Sequence, residues 1–320
     1  MSILLTGGAG FIGSCVLRSL NDAGERDIIV IDNIAESEKW KNLLNKNYLE
    51  YIHKNRLQEL LSSFNDISLV LHMGACSDTA ETDFDYLYAN NFEYSKMLWR
   101  YCAERNISFI YASSAATYGS ISECDDVTGI DVLRPLNRYG YSKQLFDLWV
   151  ARQTECPKQY VGLKFFNVFG PNEYHKGTMA SVAYHGFRQI QGSGKLKLFK
   201  SCNPNFADGD QQRDFVYVKD VCKVISHFMR RGEISGLFNV GAGKAETFHS
   251  LGSALFAALG KKEQIEYIEM PAHLVGSYQY KTEAALSKLR ATGYSEDFCT
   301  LESAVADYVR NYLNKNFETY

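Results

Sequence analysis

Short uninterrupted apolar runs recur through the first half of the chain, at residues 3–6, 28–31, 69–72 and 109–112, each bounded by turn-forming or polar residues. Runs of four apolar residues without alternation are the pattern of strands buried on both faces, as in a parallel sheet. Helical spacing intervenes, most clearly over residues 90–105, where Phe92, Met97, Leu98, Tyr101 and Cys102 fall near one face. Strands alternating with helices predict an α/β fold, a doubly wound parallel sheet. Further strands are expected at 160–166, 214–218 and 237–240.

The texture changes after Phe166. Loops containing Gly, Pro and Asn dominate residues 168–210, interrupted by one helical stretch at 181–191. From Phe248 onward, helical segments surround one strand at Ile265–Ile268. This predicts a dinucleotide-binding domain over 1–166 and 214–241. A smaller mixed α/β substrate lobe takes 167–213 and 242–320, interleaved with the first.

Composition narrows the partners. Lys+Arg 34 against Asp+Glu 37 leaves a formal charge of −3, without the concentrated basic footprint that a nucleic-acid binder needs. The apolar runs are far shorter than the ~20 residues of a membrane span. The N-terminal residues show no basic n-region or cleavage site. Eight cysteines stand singly, with no CxxC pair and no clustered histidines, which argues against structural zinc or a disulfide framework. Reduced thiols in a cytoplasmic protein are expected, and no metal.

The segment Thr6-Gly7-Gly8-Ala9-Gly10-Phe11-Ile12-Gly13 follows the first strand and opens a helix predicted to run to about Ala23. Gly7 permits a tight turn, Gly10 close approach to a pyrophosphate, and Gly13 close packing of helix on strand. The helix N-terminus then presents N–H groups to the phosphates. Asp32, closing the second strand, is placed to accept ribose hydroxyls or to cap a turn. An acid there favours NAD, whereas Lys39 and Lys54 nearby supply counter-charge for the 2′-phosphate of NADP. Physics alone leaves both forms open.

After the fourth strand come Ser113 and Ser114, and later Tyr139-Gly140-Tyr141-Ser142-Lys143 at the head of a helix. Tyr139 and Lys143 are four residues apart and share a helix face. A neighbouring ammonium favours the phenolate, lowering a tyrosine pKa from its usual ~10. Such a tyrosine can take a proton from a substrate hydroxyl while hydride leaves the same carbon, with Ser114 holding the developing carbonyl. Tyr141, two residues from Lys143, points to another face.

The glycine loop, Asp32, His72-Met73-Gly74-Ala75, Ser114, Tyr139 and Lys143 together resemble the extended short-chain dehydrogenases/reductases, which include many nucleotide-sugar epimerases and dehydratases. Matching segments continue at Asn167-Val168-Phe169-Gly170-Pro171, at Arg213-Asp214-Phe215-Val216-Tyr217-Val218 and at Phe238-Asn239-Val240-Gly241. A narrower resemblance, to the ADP-glyceromanno-heptose 6-epimerases, rests on four stretches. They are Gly74-Ala75-Cys76-Ser77, YASSAATYG at 111–119, PLNRYGYSK at 135–143, and above all His175-Lys176-Gly177 followed by Met179-Ala180-Ser181-Val182-Ala183.

That resemblance implies oxidation of C6 of ADP-D-glycero-D-manno-heptose by a tightly bound NADP. Return of the hydride to the other face of the 6-keto intermediate then gives the L-glycero epimer, a lipopolysaccharide inner-core precursor. By position, Tyr139 would serve one face and Lys176 the other. Carried over likewise, the cofactor would meet Phe11, Ile12, Asp32, Asn33, Lys39, Lys54, the run Met73-Gly74-Ala75-Cys76-Ser77, Asn90, Lys143 and Val168. The nucleotide sugar would meet Asn167, Thr178, His185, the run Phe199-Lys200-Ser201-Cys202, Arg213 and Tyr278. Arg213 suits a pyrophosphate through its planar fork of donors. The family also implies a homo-oligomer, a pentamer in the best-matching group.

Met73 and Thr178 depart from the family pattern, and the loop 203–212 is longer than usual. A UDP- or dTDP-sugar 4-epimerase and a non-catalytic dinucleotide-binding sensor are the alternatives. A dehydratase, which places an acidic pair after its active-site Ser or Thr, is disfavoured by Ser114-Ala115-Ala116.

Overall fold

The computed structural model describes residues 1–126, 129–275 and 278–320. The N-terminal half contributes β1 (Ser2–Thr6), β2 (Ile28–Asp32), β3 (Glu50–His53), β4 (Ile67–His72), β5 (Ser108–Ser114) and β6 (Gln159–Phe165). The C-terminal half adds β7 (Asn167–Phe169), β8 (Leu196–Phe199), β9 (Gln212–Tyr217), β10 (Gly236–Val240), β11 (Ala245–Thr247) and β12 (Ile265–Ile268). The longer helices are α1 (Phe11–Asp22), α2 (Tyr94–Glu104), α3 (Arg138–Val150), α4 (Val182–Ser193), α5 (Val218–Arg230), α6 (Phe248–Leu259) and α7 (Leu301–Asn311).

Seven strands form one sheet in the order β10-β6-β5-β4-β1-β2-β3. Every pairing in it is parallel. Strand residues alternate between the two faces. Ile3, Leu5, Ile28, Val30, Leu69 and Leu71 join one apolar cluster with Cys15, Val16 and Leu17 of α1 and Val221, Val224 and Phe228 of α5. Leu4, Ile29, Ile31, Val70, Phe109 and Tyr111 join the opposite cluster with Leu98, Trp99 and Cys102 of α2 and Phe146 and Val150 of α3. Burial on both faces explains why these strands carry no polar alternation.

The first cluster continues into the C-terminal region through Leu251 and Leu255 of α6 and Val305 and Tyr308 of α7. Small sheets sit there as well: β11-β9-β7, in which β9 runs parallel to β7 and antiparallel to β11; β12 paired in parallel with β8; and a short parallel pair of Glu123–Cys124 with Glu283–Ala284. The strand expected at 214–218 therefore lies in a small sheet rather than the large one. Among the strands absent from the sequence reading are β3, β7, β8 and β11. β3 buries only Ile52, being the sheet's edge, and β8 alternates Leu-Lys-Leu-Phe over four residues. The stretch before α2 is a π-helical segment, Tyr88–Glu93, rather than regular helix. Among the described residues, no helix is long and apolar enough to cross a membrane.

Candidate active site

The sheet order reverses direction between β1 and β4, and a cleft of about 800 Å³ opens beyond the C-terminal ends of the strands there. Such a reversal leaves a crevice that adjoining connections cannot fill. Gly7 stands at φ 69°, and a Cβ on it would lie 2.5 Å from the Gly74 nitrogen. A Cβ on Gly13 would lie 2.1 Å from the Gly7 carbonyl oxygen. Only glycine allows both approaches, which bring the loop against β4 and α1 against the loop. Helix α1 starts at Gly10 with no side-chain cap and no acid in its first turn. Its leading N–H groups are thus left to an anionic ligand at the cleft floor. A dinucleotide pyrophosphate fits this cradle.

Asp32 is buried, and its carboxylate is already engaged. Oδ2 accepts the N–H groups of Ala9 and Gly10 at 2.8 and 3.1 Å. Oδ1 accepts Asn33 N–H at 2.8 Å and Lys39 Nζ at 2.8 Å. Asp32 therefore clamps the glycine loop and is neutralised by a lysine, a pairing that Asp32's position in the sequence did not reveal. Lys54 donates to Asn90 Oδ1 at 2.5 Å. Both lysines line the cleft, as do Phe11, Ile12, Asn33, Asn90, Val168 and the run from Met73 to Ser77.

His72 is structural. Its Nδ1 and Nε2 lie 2.6 Å from Thr6 Oγ1 and 2.8 Å from Ser95 Oγ, and burial, with a smaller push from the Lys143 charge, pulls its pKa down to about 3. Asn91, on the π-helical segment, was not legible as a site residue. It holds Cys76 by its backbone N–H and carbonyl, at 2.8 and 3.0 Å, and reaches Ser142 Oγ at 3.0 Å. It thereby ties one cleft wall to α3.

Helix α3 is capped by Asn137, which accepts Gly140 N–H at 2.7 Å, and carries Tyr139 and Lys143 into the cleft. Tyr139 hydrogen-bonds Ser114 at the end of β5. Its phenol is held above the ordinary value, because burial outweighs the lowering by Ser114. The lowering expected from Lys143 is not realised. The Lys143 ammonium instead donates to the Ala112 carbonyl at 2.9 Å, and burial lowers it to about 8, opposed by Asp147 and Cys76. Tyr141 points away and stacks on Phe84 with ring centroids 5.6 Å apart.

Behind these groups lies a buried ion pair, Lys164 Nζ to Asp147 Oδ2 at 2.7 Å. Asp147 also accepts Ser113 Oγ at 2.7 Å and Tyr111 hydroxyl at 3.1 Å, while Lys164 donates to Thr117 Oγ1 at 2.7 Å. The network ties α3, the end of β5, the turn after it and β6 together. Its members are far apart in sequence and carry no motif, so only the fold reveals them.

A 3₁₀ segment, Tyr174–Met179, carries Lys176 into the same cleft, with Nζ 5.6 Å from the Phe11 ring centroid. Burial lowers the Lys176 pKa, and Glu173 opposes that shift. The segment is pinned to α1 by Asn172 Nδ2 donating to Ser14 Oγ at 2.9 Å. His175 lines the cleft beside Lys176 and meets Asn42 at 3.3 Å.

The expected substrate contacts divide. Asn167 and Arg213 line the cleft. Tyr278 lines a side pocket of about 160 Å³ that shares Arg213, Asn137, Ala116 and Gln279 with it. The Arg213 guanidinium lies over the rings of Tyr278 and Phe248, 5.1 and 5.7 Å from their centroids, and donates to the Gln212 carbonyl at 2.8 Å. It forms no carboxylate ion pair among the described residues, which suits an anionic ligand.

Thr178 is exposed, and neither it nor His185 lines the cleft. The run Phe199, Lys200, Ser201 and Cys202 is also outside it, where β8 pairs with β12 in a separate two-stranded sheet. There Lys200 pairs with Glu269 at 2.6 Å, and Ser201 turns back to the Asn203 carbonyl at 2.8 Å.

A crevice fitted to a dinucleotide and lined by Tyr139, Lys143 and Arg213 defines a dinucleotide-dependent enzyme of the nucleotide-sugar class. Residues 3–241 match the NAD dependent epimerase/dehydratase family. Two relatives named ADP-L-glycero-D-manno-heptose-6-epimerase are close in sequence. The protein from Fusobacterium nucleatum is 48% identical over 98% of each chain, and that from Nitratidesulfovibrio vulgaris 49% over 97% of each. The Helicobacter pylori enzyme of that name superposes with TM-score 0.83 at 28% identity, covering 97% of this chain and 95% of that one. A UDP-glucose 4-epimerase from Thermotoga maritima superposes with TM-score 0.82 at 27% identity, covering 99% and 100%. The chain belongs to the NAD dependent epimerase/dehydratase family and, within it, to the ADP-L-glycero-D-manno-heptose-6-epimerases.

Proposed function

We propose that this enzyme, an isomerase, converts ADP-D-glycero-D-manno-heptose to its L-glycero epimer at C6, using a bound NADP. The reaction type is carried by one observation: Tyr139 and Lys176, two proton carriers on different elements, line one cleft with the glycine loop. The substrate rests on near-half identity to the heptose epimerases over almost the whole chain. A nicotinamide dinucleotide held against the glycine loop would supply hydride acceptance and return at C6, with no net redox change.

Burial sets the two proton carriers in complementary states. The Tyr139 phenol is held neutral with a proton to give, and the Lys176 ammonium is brought closer to releasing its own. One group, in its deprotonated form, would take the C6 hydroxyl proton, and the other, still protonated, would give its proton to the oxygen on the opposite face of the 6-keto sugar. A proton then passes from the first group to the second through solvent, which restores both for the next turnover. Ser114 would support the carbonyl oxygen beside Tyr139, and Lys143 would hold the nicotinamide ribose. Arg213 takes the substrate pyrophosphate between its two aromatic plates.

For the cofactor, Lys39 and Lys54 on the cleft wall supply positive charge for a 2′-phosphate, and Lys39 cancels the charge of Asp32. The family resemblance further supports a cytoplasmic homo-oligomer. Of the dinucleotide-binding domain read at 1–166 and 214–241, residues 214–217 pair instead with the strands of the C-terminal lobe.

The direct test is proton NMR of ADP-D-glycero-D-manno-heptose with purified enzyme and no added cofactor, beside a UDP-galactose control. Conversion of the heptose alone is expected. An unchanged heptose, even with NAD and NADP added, overturns the substrate assignment, and the galactose control then decides whether the enzyme is a 4-epimerase.

A further inference from the structure

Glu173 is the most heavily engaged buried carboxylate near the cleft that the proposed chemistry does not use. It is about 1% exposed, and every group bonded to its side chain is a donor. Oε1 accepts Gly170 N–H at 3.2 Å, Ser181 Oγ at 2.7 Å and the Tyr308 hydroxyl of α7 at 3.0 Å. Oε2 accepts Ser181 N–H at 2.6 Å. An ionised carboxylate is acceptor-only with about four lone-pair sites, and this shell of donors fills it.

The placement of those donors matters more than their number. Gly170 and Ser181 are the two ends of the arch that carries Lys176, and Glu173 holds both at once. Its own carbonyl also accepts Lys176 N–H at 3.0 Å. Tyr308 braces the carboxylate from a helix far along the chain. Among the described residues, the titratable groups that interact with it include Lys176 and Tyr174 from the arch, Cys15 from α1 and Tyr308 from α7. Of these four, Lys176 is the cation.

We propose that Glu173 is the positioning residue of the second proton carrier, a buried carboxylate staple that closes the 170–181 arch and aims Lys176 at the cleft. The proposal rests on the reading of Lys176 as a proton carrier at C6. It goes beyond that reading in assigning a residue that touches neither substrate nor cofactor. A staple acting on Lys176 alone must disturb one face of the sugar and spare the face served by Tyr139. General loss of structure slows both.

The test follows single-turnover reduction of the bound cofactor, starting separately from the D-glycero and L-glycero epimers. It compares the wild type with Lys176→Met, Glu173→Gln and Tyr308→Phe. In Glu173→Gln an amide N–H₂ replaces one acceptor and faces a donor. Oxidation of one epimer should slow by about tenfold or more while the other stays within about twofold, the scale of a lost charged hydrogen bond. Amide hydrogen exchange should rise across 174–179 and not in α3. Tyr308→Phe, which removes one brace and leaves the carboxylate, should show the same lopsidedness at roughly threefold. It carries the test if Glu173→Gln does not fold.

Lys176→Met separates the layers. If that variant oxidises both epimers alike, the base assignment falls and this inference with it. If Lys176→Met is lopsided but the staple variants slow both epimers equally, or neither, the positioning role of Glu173 alone is overturned.

Discussion

Lys39 donates to the Asp32 carboxylate at 2.8 Å, while the other Asp32 oxygen holds the N–H groups of Ala9 and Gly10. The acid that closes β2 is thus neutralised and geometrically spent on the glycine loop. In a bare Asp32 the negative charge would repel a 2′-phosphate; paired with Lys39 that charge is cancelled, which leaves Lys54 to set the sign of the adjacent cleft wall.

Lys39→Met should therefore weaken NADP binding by about tenfold or more, the scale of a hydrogen bond to a charged group, and leave NAD affinity nearly unchanged. Calorimetric titration of cofactor-free enzyme with both dinucleotides checks this. Equal losses for the two would remove Lys39 from phosphate recognition.

Tyr139→Phe should keep the fold and the cofactor but reduce turnover by roughly 10²- to 10⁴-fold, the contribution of a positioned general acid–base group. The phenyl ring preserves the packing and removes only the hydroxyl that meets Ser114. NMR conversion rates, with bound cofactor measured by absorbance, give the result; near-normal turnover would exclude Tyr139 as a proton carrier.

Arg213→Lys should raise KM for the nucleotide sugar by about tenfold to a hundredfold with a smaller change in kcat, since an ammonium cannot reproduce a bidentate fork. The flat guanidinium also fits between Phe248 and Tyr278 as a lysine does not. Competitive inhibition by ADP should weaken in parallel, and an unchanged inhibition constant would show that Arg213 serves elsewhere.

His72 sets a pH limit on stability. It stays neutral in the fold down to about pH 3, against an ordinary value of 6.5, so below 6.5 the unfolded chain binds more protons than the native one. Stability is fully present above that value and falls as pH drops through the window. By about pH 5 the cost is ~2 kcal/mol at ~1.4 kcal/mol per pH unit. Urea unfolding near pH 7 and pH 5 should show this decrement in the wild type and a shallower one in His72→Gln. Equal slopes would assign acid sensitivity to other groups.

The sequence alone determined the parts of this protein whose physics is local. Apolar runs without alternation are strands covered on both sides. The spacing of Gly7, Gly10 and Gly13 allows one strand–turn–helix geometry, and four residues between Tyr139 and Lys143 place them on one helix face. These follow from backbone sterics and helical period, which a linear string carries. What faces what was decided by the tertiary structure, because it depends on sheet order and loop paths. The order around β1 and β4 opens the cleft, and only its closure sets Lys39 on Asp32 and commits Lys143 to the Ala112 carbonyl. Parallel pairing of β8 with β12 leaves Phe199 to Cys202 outside the cleft in which the family resemblance placed them. Burial reversed the expected tuning of Tyr139, since desolvation of the phenolate outweighs its one hydrogen bond to Ser114. The pairs Asp147–Lys164 and Glu173–Tyr308 join residues with no common motif. Buried polar groups must find partners wherever the fold supplies them, and sequence spacing does not encode that choice.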